Sequence, residues 1–221
     1  MRRRMLMNKS MPYDAEIEYI ESTGTQYIDT LLVIPQTTIE VKCVFQLEFT
    51  SIPQSTTSDL YIVSLPTAGV QIYTANSRMY NQTAPSDTLN TGQEYLIETI
   101  TTADKRTIQI NEGKISSQVF NRDITGQHLY LFGNEGFGLN GRNSKAKHKS
   151  YKVFFDNVLM LDLIPVRVGT TGYMYDRISG ELRGTGDFIF GPDKMGGVIK
   201  WLIINTLHGL SNPSLEERRV A

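Results

Sequence analysis

The sequence of 221 residues contains little of the material from which disulfide frameworks and metal clusters are built. Its single cysteine, Cys43, excludes both a disulfide within the chain and a cysteine-rich zinc site. Its three histidines leave little material for a histidine metal cluster. The formal net charge of −1 argues against a dedicated nucleic-acid binder, which usually carries a basic excess. We therefore predict no resident cofactor and no nucleic-acid partner.

Long apolar runs are also missing. Three arginines at positions 2–4 resemble the charged start of a signal peptide, but the apolar run behind them covers only residues 5–7. The longest late apolar stretch, residues 198–210, is interrupted by a lysine, an asparagine and a histidine. Because a membrane helix needs about 20 mostly apolar residues, we predict no membrane span.

The central part of the chain, residues 14–193, consists mainly of predicted strands. Residues 38–49 alternate with a period of two, which is typical of a half-buried strand. The apolar face of that strand is predicted to carry Ile39, Val41, Cys43, Phe45, Leu47 and Phe49. Further strands are predicted at 60–65, 69–73, 78–82, 94–102, 107–110, 114–119, 128–132, 150–155, 158–165 and 173–176. No stretch shows sustained helical periodicity, so the pattern predicts an all-β fold, with two packed antiparallel sheets as the favoured form.

Turn residues divide this series into hairpins. Asn111-Glu112-Gly113 separates two short strands, and Asp156-Asn157 separates two longer ones, which are hairpin signals in both places. Pro165 is predicted to end its strand, because proline cannot donate a hydrogen bond to a sheet ladder.

Two segments resemble a known type of domain. They are residues 17–30, with the sequence IEYIESTGTQYIDT, and residues 151–193, which begin YKVFFDNVLMLDLIPVR and end GTGDFIFGPD. Together they resemble the concanavalin A-like, laminin-G-like jelly-roll domains common in phage and prophage structural proteins of gut bacteria. The resemblance implies a jelly-roll sandwich over residues 14–193, in which the two ends of the domain lie side by side.

The resemblance implies a function in assembly and adhesion. It predicts a non-enzymatic structural or appendage protein of a phage virion (a fibre, tail or capsid decoration), made in the bacterial host cytoplasm. Its sandwich would bind other virion proteins in an oligomeric assembly, or glycans of the bacterial surface. One alternative is a bacterial surface adhesin with the same domain, and a second is a laminarinase-type glycoside hydrolase.

The hydrolase alternative depends on Glu16, Glu18 and Glu21. Their spacing resembles the Glu-x-Asp-x-x-Glu strand of laminarinase-type enzymes, with glutamate in place of the central aspartate. A retaining glycosidase needs two carboxyl groups about 5–5.5 Å apart. On a strand Glu16 and Glu18 share a face, and Glu21 joins them only if a bulge shifts the register. We favour a solvated strand face, and we predict no catalytic residues.

Exposed tyrosines would form the physical basis of glycan binding, because the ring stacks on a sugar and the hydroxyl forms hydrogen bonds. The candidates in the predicted strands are Tyr61, Tyr73, Tyr80, Tyr95, Tyr130 and Tyr173.

A basic segment without acidic residues covers positions 142–152. We interpret it as a loop that either contacts an anionic partner or is simply solvated. The residues predicted to make such a contact are Arg142, Lys145, Lys147 and Lys149. The preceding GFGLNG sequence, residues 136–141, matches a dinucleotide-binding pattern, but it lacks the strand-to-helix context and indicates a glycine-rich surface loop.

No metal site is predicted with defined ligands. Asp156, Asn157 and Asp176 carry oxygens that calcium accepts, but turn chemistry explains these residues equally well. Cys43 lies at an inward position of its strand, so we expect a buried, inert thiol.

Two arms flank the predicted domain: a basic N-terminal arm of residues 1–13 and an apolar C-terminal tail of residues 194–221. The tail is too apolar to remain in water, so it is expected to dock on the domain or on a neighbouring subunit. The residues predicted to serve assembly are Arg2, Arg3, Arg4, Trp201, Ile203 and Leu207.

Overall fold

The structure is a computed structural model that describes residues 11–54, 60–64, 70–119, 121, 123–126, 128–133 and 142–194. These residues are all-β: they form sixteen strands and no helix. The first eight strands are β1 (Ala15–Glu16), β2 (Ile20–Thr23), β3 (Ile28–Val33), β4 (Glu40–Phe49), β5 (Leu60–Ser64), β6 (Gln71–Ala75), β7 (Arg78–Asn81) and β8 (Ala84–Thr88). The others are β9 (Glu94–Thr102), β10 (Lys105–Ile110), β11 (Ser116–Val119), β12 (His128–Leu131), β13 (Lys145–Phe155), β14 (Val158–Val168), β15 (Thr171–Asp176) and β16 (Glu181–Phe190).

The strands form two antiparallel sheets. A ten-stranded sheet has the order β1-β14-β15-β16-β2-β13-β4-β9-β10-β11, and a six-stranded sheet has the order β3-β12-β5-β6-β7-β8. β13 also pairs with β14, which closes a circuit of five strands within the larger sheet. The predicted all-β fold with two antiparallel sheets is therefore confirmed.

Both sheets contribute to one hydrophobic core. The larger sheet supplies the inward side of β4, where the predicted residues Val41, Cys43, Phe45, Leu47 and Phe49 are all buried. The smaller sheet supplies residues such as Ile62, Val63, Ile72, Met79 and Leu131. Ile39 is an exception to the predicted face, because β4 begins only at Glu40 and the Ile39 side chain is 74% exposed.

The two ends of the domain lie side by side, as the resemblance implies. β16 pairs with β2, so that Phe190 is opposite Ile20. Ile17 forms an isolated bridge with Asp193 at the same place. β2 also pairs with β13, so β2 and the last strand, β16, lie in the interior of the larger sheet.

Both predicted hairpin turns are present. Asn111 and Glu112 have positive φ angles of 49° and 57° between β10 and β11. Asp156 and Asn157 have positive φ angles of 47° and 66° between β13 and β14. Asparagine and aspartate tolerate this left-handed region better than most residues, which is why they identify the turns in the sequence.

Pro165 does not end its strand, so that prediction is wrong. β14 continues to Val168, and Pro165 is opposite Met174 of β15. The carbonyl of Pro165 accepts a hydrogen bond from the Ile17 amide on the β1 side. Because N and C=O of one strand residue point to the same side, the missing N–H also faces β1, and the ladder with β15 is unaffected.

β8 is a strand that the sequence pattern did not predict. It contains Pro85 and is the last strand of the smaller sheet, where a missing N–H is tolerated. Its register with β7 shifts between Arg78 and Tyr80, which marks a β-bulge.

Candidate functional site

Three tyrosines form a row across the smaller sheet. Tyr61 of β5 is directly opposite Tyr73 of β6, and Tyr73 is directly opposite Tyr80 of β7. The ring centroids of Tyr61 and Tyr73 are 5.5 Å apart with an interplanar angle of 48°. Those of Tyr73 and Tyr80 are 5.3 Å apart and nearly parallel, at 11°. We call Tyr61, Tyr73 and Tyr80 the tyrosine row.

The tyrosine row lies on the outer face of the smaller sheet. Ile72 and Met79, the neighbours of Tyr73 and Tyr80 along the strands, belong to the shared core. Because successive side chains of a strand point to opposite faces, the two tyrosines point away from the larger sheet. Tyr73 and Tyr80 are partly exposed, whereas Tyr61 is buried. The Tyr73 hydroxyl donates to the carbonyl of Gln82 at 3.0 Å, which fixes its ring.

The other three predicted tyrosines are not part of the row. Tyr130 lies on β12 opposite Ser64 and is buried beside Tyr27, with ring centroids 6.4 Å apart. Tyr173 is partly exposed, but it lies on β15 in the larger sheet.

Tyr95 is removed from the glycan candidates. It belongs to the hydrophobic core, where its ring lies 6.2 Å from that of Phe49. Its hydroxyl bonds with the backbone of Asn90 and the side chain of Gln93. The period-two pattern of β9 could have predicted the burial of Tyr95, because Tyr95 shares a face of the strand with the buried Ile97.

A polar cleft of about 210 Å³ adjoins the row at the open edge of the smaller sheet. Arg78 lies two residues before Tyr80 and therefore on the same face of β7. Pro85, which is opposite Tyr80, also lines the cleft. The remaining lining residues are Ser86, Asp87, Ile108, Ile110, Lys114 and Ser116. Sequence reasoning missed this site, because its residues come from two sheets and no local pattern relates them.

The basic segment is a strand over most of its length, so the prediction of a loop is wrong. β13 runs through Lys145–Phe155 in the middle of the larger sheet. Burial alternates along β13 except at the bulge between His148 and Ser150, so that Ala146, His148 and Tyr151 are all inside. The lysines between them face outward and Arg142 precedes the strand.

Two of the predicted anion-binding lysines have acidic partners. The Lys147 ammonium lies 2.8 Å from the Glu48 carboxylate, and Lys149 pairs with Glu94. The pKa of Lys147 is raised, mainly by its hydrogen bond with Glu48. These pairs reduce the positive potential that an anionic partner would meet on this face. Anion binding by the segment stays a prediction.

The three glutamates lie on the solvent side of the larger sheet. Ile17 and Ile20 are both buried although they are three residues apart, so the alternation of inward and outward side chains shifts between them. As a result, Glu16, Glu18 and Glu21 all point outward. The nearest cation to Glu16 is Lys194, with 4.0 Å between the charged atoms. The tyrosine row is on the outer face of the other sheet, so the core separates it from these carboxylates.

The candidate calcium-binding aspartates serve turns and an ion pair. Asp156 Oδ1 accepts the backbone amides of Ile39 and Glu40 at 3.1 and 2.9 Å. Asp176 accepts the amides of Asp162 and Ile178. Among the residues that the structure describes, no group of three or more histidine, cysteine, aspartate or glutamate side chains could hold a metal ion.

Asp176 organises the turn between β15 and β16. Besides the two amides, it accepts the Ser179 hydroxyl at 2.8 Å and lies 4.0 Å from the Arg183 guanidinium. We expect Asp176→Ala to lower the free energy of unfolding by about 2–4 kcal/mol, because it leaves the buried Asp162 amide and the nearly buried Arg183 guanidinium without this acceptor. Urea unfolding measures this. Glu181→Ala, at an exposed partner of Arg183, is the control and should cost less than about 1 kcal/mol. Equal losses in the two variants would show that Asp176 has no special role.

The groups that could act as nucleophile and base are inside the core. Ser22 Oγ lies 3.0 Å from Nε2 of His148, and the Tyr151 hydroxyl lies 2.8 Å from its Nδ1. Burial lowers the pKa of His148 to about 3. Burial also raises the pKa of Cys43 to about 12, which agrees with the expected buried thiol. No solvent reaches Ser22 or His148, so their arrangement is structural.

Several predicted sites lie outside the described residues. They are the glycine-rich segment 136–141 and the assembly residues Arg2, Arg3, Arg4, Trp201, Ile203 and Leu207. In the described part of the chain no helix is long and apolar enough to cross a membrane.

No protein-family model matches the sequence, and no curated protein matches it. The fold is similar to the crystal structure of a "putative carbohydrate binding protein" from Bacteroides ovatus, with a TM-score of 0.56 and 14% identity over 81% of this chain and 61% of that one. An alginate lyase of polysaccharide lyase family 7 is also similar, with a TM-score of 0.39 and 10% identity over 56% of this chain and 62% of that one.

This chain spans less than two thirds of either of these proteins. At such low identity the likeness to the Bacteroides ovatus protein shows a shared β-sandwich fold.

Proposed function

We propose that this chain is a non-enzymatic glycan-binding protein that uses the tyrosine row as its platform. The single observation that carries the proposal is the stacked pair Tyr73 and Tyr80, partly exposed on the outer face of the smaller sheet. Two ordered aromatic rings give a sugar a surface to stack on, at little cost in conformational entropy. The likeness to the Bacteroides ovatus protein, for which carbohydrate binding is the suggested role, supports the same function.

The row is pre-organised for binding. Tyr61 packs against Tyr73 from the neighbouring strand β5, and the Tyr73 hydroxyl is held by the Gln82 carbonyl. A ligand that stacks on Tyr80 therefore does not have to order the neighbouring rings of Tyr61 and Tyr73. Pre-organisation of this kind increases affinity because less entropy is lost on binding.

The absence of an enzymatic function is part of the proposal. The three glutamates that resemble a hydrolase motif lie on the other sheet from the tyrosine row. A sugar bound at the row would therefore be out of their reach. His148 and Cys43 are fully buried and have pKa values that keep them neutral at pH 7.

The finer assignment rests on the sequence resemblance. We propose that the sandwich is a concanavalin A-like jelly roll on a phage virion, where it would recognise glycans of the bacterial surface. The arms would attach it to neighbouring subunits. Electron microscopy of the purified virion, with an antibody against this chain, would test the location; label that is confined to the bacterial surface would instead favour the adhesin alternative.

The glycan-binding proposal predicts the effect of Tyr80→Ala. We expect this change to weaken the binding of glycans, first identified on an array, by about tenfold or more, because the exposed stacking surface is lost. Tyr80→Phe keeps the ring and should stay within about threefold of the unaltered protein. Isothermal titration calorimetry measures both affinities.

Tyr173→Ala is the matched control, because Tyr173 is also a partly exposed tyrosine but lies on the larger sheet. Equal weakening by Tyr80→Ala and Tyr173→Ala would contradict the assignment of the row. A reducing-sugar assay on the same glycans should detect no new reducing ends. If hydrolysis is detected and disappears in a variant with both Glu16→Gln and Glu18→Gln, the hydrolase alternative is established.

A further inference from the structure

The cleft beside Tyr80 is lined by charges that are not neutralised. Arg78, Asp87 and Lys114 line it, and each is exposed. None of the three forms an ion pair within the described residues. On the outer face of the larger sheet several charges are paired, for example Lys42 with Glu98 and Lys147 with Glu48.

These three charged residues come from separate parts of the fold. Arg78 is on β7, Asp87 is on β8 next to the bulge, and Lys114 follows the turn after β10. A β-bulge changes the direction of a side chain, and bulges are frequent beside binding sites. The Arg78 guanidinium is oriented by a long contact of 3.5 Å between Nη1 and the Ser86 carbonyl.

Apolar side chains also line the cleft. Ile108, Ile110 and Pro85 line it, and Pro85 is opposite Tyr80 in the β7–β8 register. An aromatic ring, apolar side chains and nearby charges match the surface of a sugar ring, which has apolar C–H faces and polar edges.

We infer that this cleft binds the carboxylate-bearing unit of an acidic glycan, with Arg78 and Lys114 on the carboxylate and Asp87 on a sugar hydroxyl. The inference rests on the proposed function, since the rest of the glycan stacks on the tyrosine row. Arginine binds a carboxylate through two parallel N–H donors, and lysine adds a second positive charge. Asp87 can only accept hydrogen bonds when ionised, so it selects a unit with free hydroxyls over one that is fully sulfated.

The test uses matched acidic and neutral trisaccharides as probes: trimers of α-1,4-linked galacturonic acid and galactose, and of β-1,4-linked mannuronic acid and mannose. Their affinities for the full chain are measured by calorimetry. We expect at least one acidic trimer to bind about tenfold tighter than its neutral counterpart. Arg78→Gln combined with Lys114→Gln should remove this preference and leave the affinity for the neutral trimer within about twofold.

Lys145→Gln is the control, because it removes an exposed positive charge from the larger sheet. If the acidic and neutral members of both pairs bind with equal affinity, this inference is overturned. The proposed function still stands in that case if Tyr80→Ala weakens the binding of both the acidic and the neutral trimers. Loss of the preference in Lys145→Gln as well would mean that net charge, not the cleft, selects the acid. If none of the four probes binds, the inference is overturned. The proposed function is decided separately, by the wider glycan array in the Tyr80 experiment.

Discussion

Replacing Phe45 with alanine is expected to lower the free energy of unfolding by about 3–5 kcal/mol. Phe45 is fully buried in β4, and its ring stacks on Tyr151 of β13, with centroids 5.2 Å apart and an interplanar angle of 3°. The two residues are directly opposite each other in the register of β4 with β13. The substitution removes this contact and leaves a cavity between the sheets, which the surrounding strands can fill only partly. The midpoint of urea unfolding measures the loss.

Phe154→Ala is the matched control for Phe45→Ala. Phe154 lies on the neighbouring strand β13, opposite Lys42, and is only half-buried because it points away from the core. We expect it to cost about 1 kcal/mol, since solvent already reaches part of its ring. Similar losses in the two variants would contradict the assignment of the faces of the larger sheet.

The second large effect is a loss of stability in acid caused by His148. The imidazole is completely buried, and the ring of Phe132 stacks on it with centroids 3.7 Å apart. Burial lowers the pKa of His148 to about 3 in the folded protein, whereas it is about 6.5 in an unfolded chain. Below pH 6.5 the unfolded chain therefore binds a proton that the folded protein cannot accept.

This difference in proton binding fixes the sign and the pH window. The contribution of His148 is constant above about pH 6.5, and it decreases by about 1.4 kcal/mol per pH unit as the pH falls toward 3. At pH 4.5 the expected loss is about 3 kcal/mol. A His148→Gln variant keeps hydrogen-bonding groups but cannot titrate. It should therefore lose about 3 kcal/mol less than the unaltered protein between pH 7.5 and pH 4.5, as measured by urea unfolding.

His128→Gln controls for the removal of a histidine as such. His128 lies on β12 with its side chain 45% exposed, 3.6 Å from the Asp29 carboxylate. Solvent reaches its ring in the folded protein, so this variant should keep most of the acid dependence of the unaltered protein. If His148→Gln and the unaltered protein lose stability in parallel, the buried histidine is not the source.

The two sheets have different surface chemistry, and this difference underlies the functional proposals. The outer face of the larger sheet carries paired charges, such as Lys42 with Glu98 and Lys147 with Glu48. The outer face of the smaller sheet carries stacked tyrosines and borders a cleft with unpaired charges. A sugar can stack on partly exposed, ordered rings, so the smaller sheet is the better candidate for a glycan surface.

The sequence by itself determined most of the strands, several inward faces and two hairpin turns. The alternation from Val41 to Phe49 predicted which residues of β4 are buried, and Asp156-Asn157 predicted a turn. These properties are local: side chains of a strand alternate, and only a few residues tolerate a positive φ. The same local reasoning failed for Pro165, because the direction of its missing N–H depends on which neighbour lies on each side of β14.

Only the tertiary structure decided which side chains meet. The six candidate tyrosines look alike in the sequence, and the pairing of β5, β6 and β7 brings together only Tyr61, Tyr73 and Tyr80. The cleft likewise joins Arg78, Asp87 and Lys114 from two sheets. The physical reason is that strand order and register are set by contacts between residues distant along the chain, where a shift of one residue reverses every side chain.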